Sequence, residues 1–186
     1  SNSYATGSVT GNKYVGGLVA ESYKSTVSNS YATGSVTGSG DYVGGLVGNN
    51  GYGSTVNSSY ATGSLDGYDR VGGLVGYLSN NSTISNSYAT GIVDGNGDVG
   101  GLVGYNDGTI KDSFWDVNKS GQATSAGGTG KTTEEMALPS TFSDWDTSIW
   151  TLADGESAEG FGTRRPYLTN VTRVEDRPSA GSLFEG

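Results

Sequence analysis

YVGGLVG, Tyr42 to Gly48, returns as RVGGLVG at Arg70 to Gly76 and DVGGLVG at Asp98 to Gly104, after a first copy, YVGGLVA, at Tyr14 to Ala20. Leu18, Leu46, Leu74 and Leu102 thus fall 28 residues apart. A second block, SYATG, begins at Ser3, Ser30, Ser59 and Ser87, with a degenerate fifth copy, DSFWD, from Asp112. A fixed period of this size marks a stacked architecture in which each coil lies on its neighbour. With neighbouring coils a strand spacing of about 4.8 Å apart, four of them make a slab about 20 Å thick, with the leucines as an internal ladder.

The residue types within a period favour strands over helices. In the second coil, Val27 to Thr33, Ser35 to Thr37 and Tyr42 to Val47 read as three extended segments, with a Gly-rich turn at Gly38 to Asp41. Length varies between copies only around Thr10 to Tyr14 and Ala20 to Val27, which are read as loops. Val15 and Leu18 are three apart and would face opposite sides of a straight strand. Gly16 and Gly17 between them allow a bend that turns both inward. The expected fold is therefore all-β: a right-handed β-solenoid of four to five coils over residues 1–112, a small mixed C-terminal cap over 113–170, and an extension or linker over 171–186.

Composition narrows the function classes. Ile, Leu, Val and Phe number 34 of 186 residues, a deficit made good by 33 glycines that suit close approach of thin coils. The chain has no Cys and no His, so thiolate metal sites and the commonest general base are absent. Lys and Arg number 10 against 19 Asp and Glu, which opposes a nucleic-acid partner. No apolar run reaches the length of a transmembrane helix. The chain starts with Ser-Asn inside a repeat, as expected of a piece of a longer protein.

The alternation of VGGLVG with SNSYATG, at Ser28 to Gly34 and Ser85 to Gly91, resembles the GLUG repeat of large bacterial surface and secreted adhesin-like proteins. The tail is similar to the segment that follows such repeats: FWD at Phe114, SGQATSAGGTGKTTEEM from Ser120 to Met136, WD at Trp145, IW at Ile149 and RPYL from Arg165 to Leu168. The resemblance implies an extracellular or cell-surface β-solenoid module and brings no catalytic residues with it.

Several motifs invite chemistry. GGTGKTT, Gly127 to Thr133, imitates a phosphate-binding loop, but Ser125 replaces the first glycine and no strand-like run precedes it. It reads instead as a turn before a short helix over about Thr133 to Leu138, with Thr132 and Glu135 as capping box and Pro139 as terminator. Asp94, Asn96 and Asp98 open like a calcium loop, but Val99 stands at the sixth position and Tyr105 at the twelfth, so a polar turn is the better reading. Acid pairs such as Asp66 with Asp69 and Glu134 with Glu135 lie on turns without aromatic walls, against glycosidase chemistry. No cofactor is expected.

The candidate ligand-binding residues are two rows, Tyr4, Tyr31, Tyr60 and Tyr88, and Thr6, Thr33, Thr62 and Thr90. Two apart on a strand, Tyr and Thr share one face, and stacking builds a lattice of rings and hydroxyls. Such a face could bind polysaccharide; the favoured reading is that it packs, with the rings stabilising the stack. Trp115, Phe142, Trp145, Trp150, Phe161 and Tyr167 concentrate in the tail and suit a cap over the last coil's edge. The leading functional expectation is a non-enzymatic structural or adhesive module. The alternatives are a filament subunit pairing through open solenoid edges, with 171–186 as a donated strand, and a carbohydrate-binding module.

Overall fold

The computed structural model describes residues 1–152 and 165–178. It is a β-solenoid of about four coils, whose strands form one six-stranded and four four-stranded sheets, every pairing between coils parallel. Phe161 and residues 179–186 lie outside the described residues.

Each coil carries five short strands rather than three. In the second coil they are Thr26–Ser28, Tyr31–Ala32, Val36–Gly38, Asp41–Gly44 and Val47–Asn50. The expected segment Val27 to Thr33 is broken at Asn29, which takes φ 49°, a left-handed conformation that Asn tolerates better than most residues. Asn2, Ser58, Asn86 and Asp112 hold the same corner in the other coils, all at positive φ. Tyr42 to Val47 is likewise broken at Gly45 and Leu46. The turn after Val36–Gly38 is only Ser39 and Gly40, and Val19–Ser22, expected to begin a loop, is strand.

Stacking is in register throughout. Tyr4 pairs with Tyr31, Tyr31 with Tyr60, and Tyr60 with Tyr88. Val15, Val43, Val71 and Val99 form a second such row. The leucine ladder is present: the Leu46 amide donates to the Leu74 carbonyl and the Leu74 amide to that of Leu102, at 2.9 and 2.8 Å. Leu46, Leu74 and Leu102 are wholly buried.

The bend at the glycine pair turns both apolar residues inward, but into different clusters. The leucines pack with Val47, Val75, Val103 and the alanines of SYATG, whereas Val15, Val43 and Val71 pack with Val36, Leu65 and Val93. Gly45 shows why the pair is glycine. A Cβ there would run into the Gly73 carbonyl oxygen of the next coil and into Ala61.

The serine that opens SYATG has a structural task. The hydroxyls of Ser59 and Ser87 accept from the backbone amides of Ser30 and Ser59, at 3.2 and 3.1 Å, and each donates to a carbonyl two residues back. Corner amides that the sheets do not pair are thereby satisfied in the interior.

The two ends of the stack differ. Residues 122–130 lie across the last coil: Gly101 donates to the Thr124 carbonyl, Ala126 to that of Val103, and Thr129–Lys131 pairs with Phe114–Asp116. Trp115 covers Gly101 at this end. The strands of the first coil, by contrast, pair only with the second coil among the described residues. No helix among the described residues is long and apolar enough to cross a membrane.

Candidate functional site

The tyrosine row builds a continuous aromatic assembly along one flank of the coils. In Tyr31–Ala32 and its equivalents, Ala points into the leucine cluster, which leaves Tyr on the opposite, outer face of the coil. Adjacent rings stack at 5.3, 5.1 and 5.1 Å from Tyr4 to Tyr88, within 9° of parallel. This outer face is nonetheless covered. Tyr31, Tyr60 and Tyr88 are 0% exposed beneath Met136, Phe142, Trp145, Trp150 and Leu168, while Tyr4 at the open end is 46% exposed.

This placement corrects two expectations. Of the tail aromatics, Trp115 covers the last coil's edge, whereas Phe142, Trp145 and Trp150 lie along the flank, with Trp150 near both Tyr60 and Tyr88. Nor do Tyr31, Tyr60 and Tyr88 offer a platform for sugars, because each ring is occupied by its neighbours and the cap. Their hydroxyls are occupied too: Tyr31 donates to Asp176 at 2.8 Å, Tyr88 donates to the Pro166 carbonyl at 2.7 Å, and Tyr60 lies 3.0 Å from the Thr172 hydroxyl. Burial pushes all three phenols up, Tyr31 to about 12 and Tyr88 well beyond the ordinary range.

One ion pair holds the cap to the solenoid. Asp116, at the end of FWD, and Arg165, at the start of RPYL, form a salt bridge with both side chains at most 1% exposed. The Asp116 carboxylate also accepts from the Lys119 amide at 2.9 Å, capping the turn Val117–Ser120, and from the Thr133 hydroxyl at 3.0 Å. The tail motifs thus meet in space. Trp145 of the WD motif donates to the Asp112 carbonyl at 2.9 Å, and Trp150–Thr151 pairs antiparallel with Tyr167–Leu168.

The phosphate-loop imitation is dismantled by this packing. Thr129–Lys131 is a strand, Lys131 pairs with Glu135, and Thr133 is spent on Asp116 and on Asn118. The capping box forms as expected, Thr132 and Glu135 each accepting from the other's amide at 3.2 and 2.8 Å. The helix it opens is a single 3-10 turn, Glu135–Ala137, and Pro139 begins a second, Pro139–Phe142. Asp94, Asn96 and Asp98 are exposed, and Asp94 accepts from the amide of Gly95, a turn of its own. Among the described residues no group of three or more Asp, Glu, His or Cys gathers at one point.

The threonine row remains partly accessible. Thr6 is exposed, Thr33 and Thr62 are half-buried, and Thr90 is 6% exposed. Thr33, Thr62 and Thr90 line a cleft of about 570 Å³ whose other wall includes Lys119 and Glu175 to Pro178. The sequence reading anticipated the hydroxyls but not this charged wall, which begins at Lys119, 86 residues from Thr33 and 57 from Thr62. It also missed an aromatic row in which Tyr14 and Tyr42 stack at 4.9 Å and Arg70 lies 5.0 Å from the Tyr42 ring. Their 28-residue spacing was the available signal.

Comparison with known proteins adds one finding. The family described as the GLUG motif matches residues 11–37 and 67–94. No curated protein and no solved structure matches the chain. Each matched segment spans strands of one coil and its passage into the next, so this chain is a repeat protein carrying GLUG motifs on a β-solenoid.

Proposed function

We propose that the protein is a non-enzymatic structural and adhesive module of a cell-surface or secreted protein. The observation that carries this reading is the register itself. Five parallel ladders run through successive coils, tied by hydrogen bonds along the axis and sealed on one flank by a cap. A rod of this kind resists bending and presents the same chemistry at each coil. The side chains most deeply invested, the leucines, tyrosines and serines, are all engaged in packing or hydrogen bonding, which suits a scaffold better than a reacting centre.

Of the two alternatives, filament assembly would use the first coil's edge, whose strands pair only with the second coil among the described residues, since residues 122–130 already lie across the last coil. The cleft beside the threonines supports the carbohydrate alternative more than the buried rings do. Antibodies against the chain, applied to intact and permeabilised source cells, test the placement. Equal labelling of both is expected, and labelling only after permeabilisation would overturn it.

A further inference from the structure

We infer that the cleft along Thr33, Thr62 and Thr90 binds a strand of acidic polysaccharide, with sugar hydroxyls meeting the threonine row and carboxylates meeting Lys119 and Arg177. This inference deepens the adhesive half of the proposed function and rests on it for its biological setting.

The floor of the cleft is the first argument. The three threonines lie on successive coils, so their hydroxyls recur at about the strand spacing of 4.8 Å along the solenoid axis. Their backbone amides are committed to the preceding coil, at 3.0 Å in each case. Their hydroxyls have no hydrogen-bond partner among the described residues. A regularly spaced row of unpaired hydroxyls matches a linear ligand with a regular repeat of donors and acceptors, which is what a sugar polymer offers.

Charge is the second argument. Of the acids in the wall, Glu175 is paired with Arg173, which also lies 4.0 Å from Asp176, and Asp176 accepts from Tyr31. The cation Arg165 is paired with Asp116. Lys119 and Arg177 have no ion-pair partner among the described residues, and Arg177 holds a buried Nε with no hydrogen-bond partner. Its guanidinium is steadied 4.5 Å from the Tyr167 ring centroid. Burial, and then the neighbouring Arg165, push the Lys119 ammonium down against a smaller opposing pull from Asp116, so an incoming carboxylate would stabilise a cation that the protein compensates only in part. The lining thus carries three cations, Lys119, Arg165 and Arg177, against two acids, Glu175 and Asp176, in a chain of net charge -9.

Size and shape complete the case. A volume of about 570 Å³ lies within the usual range of ligand sites. The residues come from three coils, the helical turn Val117–Ser120 and the segment 175–178, so the cleft exists only in the assembled, capped solenoid.

Binding of the whole chain to immobilised polygalacturonate and alginate, with dextran as neutral polymer and galacturonate as monomer, tests the inference. Retention on either uronate polymer, weakened by salt, is expected, with none on dextran and little affinity for the monomer. Lys119→Gln should weaken polymer binding by about tenfold or more. Thr62→Val, which preserves shape, should weaken it by about threefold to tenfold with unchanged melting. It decides the matter if Lys119→Gln misfolds. No retention on either uronate polymer, equal retention on dextran, monomer binding as tight as polymer, or wild-type affinity in folded Thr62→Val would each overturn it. None of these outcomes alters the surface-labelling result, so the two readings fail separately.

Discussion

Leu46→Asp is expected to abolish the folded solenoid. Leu46 is 0% exposed, in the middle of a ladder whose members bond backbone to backbone from coil to coil. A carboxylate there would have no cation to meet in the leucine cluster, where the neighbours are Val, Ala and Leu. Burying an unpaired charge costs several kcal/mol, and the lost leucine packing adds about 2–5 kcal/mol. Against a total stability of about 5–15 kcal/mol, the sum leaves little folded protein. Because the strands of the first coil pair only with the second among the described residues, damage at the second coil also undermines the first. Far-ultraviolet circular dichroism should show loss of strand signal at ambient temperature. A melting temperature within a few degrees of wild type would place Leu46 on the surface.

Asp116→Ala has the next largest expected effect, and it acts on the cap. It removes the Asp116 carboxylate from a buried pair in which the Arg165 side chain is 1% exposed, at a cost of about 3–5 kcal/mol. At about 2–4 °C per kcal/mol for a chain of this size, melting should fall by about 6–20 °C. The tyrosine row supplies a local readout. A phenol whose pKa is raised by folding contributes stability that is complete below its unfolded value of about 10 and is lost as pH climbs through the folded value. For Tyr31 that window runs from about 10 to about 12. In wild type the Tyr31, Tyr60 and Tyr88 hydroxyls should therefore titrate late, and tryptophan emission should report a dry cluster. In Asp116→Ala the phenols should titrate earlier and the emission should shift to the red. Replacing both partners, Asp116→Leu with Arg165→Met, should recover part of the loss because both charges of the buried pair are then exchanged for apolar packing. Unchanged melting and titration in the single variant would remove the ion pair from its role as clasp.

The two variants divide along what the sequence reveals. The leucine ladder was legible because its signal is periodic: four copies of VGGLV leave one way to stack, and the glycines between Val and Leu announce a bend. The number of strands per coil was not legible. The break at Asn29 is a matter of one dihedral angle, and the same corner is held by Ser58 in a coil where Asn57 has moved into the strand. The flank was hidden for a different reason. Tyr31, Tyr60 and Tyr88 look alike whether they face solvent or a cap, and what covers them comes from residues with no period at all. Asp116 and Arg165 are separated by 49 residues, and nothing in the spacing of a lone acid and a lone base predicts that they meet. The threonine row was legible from its period, yet its candidate chemistry depends on Lys119 and Arg177, which only the folded tail brings alongside.

In-register stacking is the central claim, and the absence of native cysteine makes it directly measurable by spin labelling. Thr10, Thr37, Asp66 and Asp94 occupy one exposed ladder, each in register with the next. Labels introduced through Thr37→Cys and Asp66→Cys should sit one strand spacing apart, about 5 Å between backbones, and should show strong dipolar broadening. Moving the second label from Asp66 to Asp94 doubles the backbone separation and should weaken the broadening accordingly. Strong coupling in the first pair and its stepwise decline in the second is the predicted result; no coupling between Thr37 and Asp66 would contradict the stacked register.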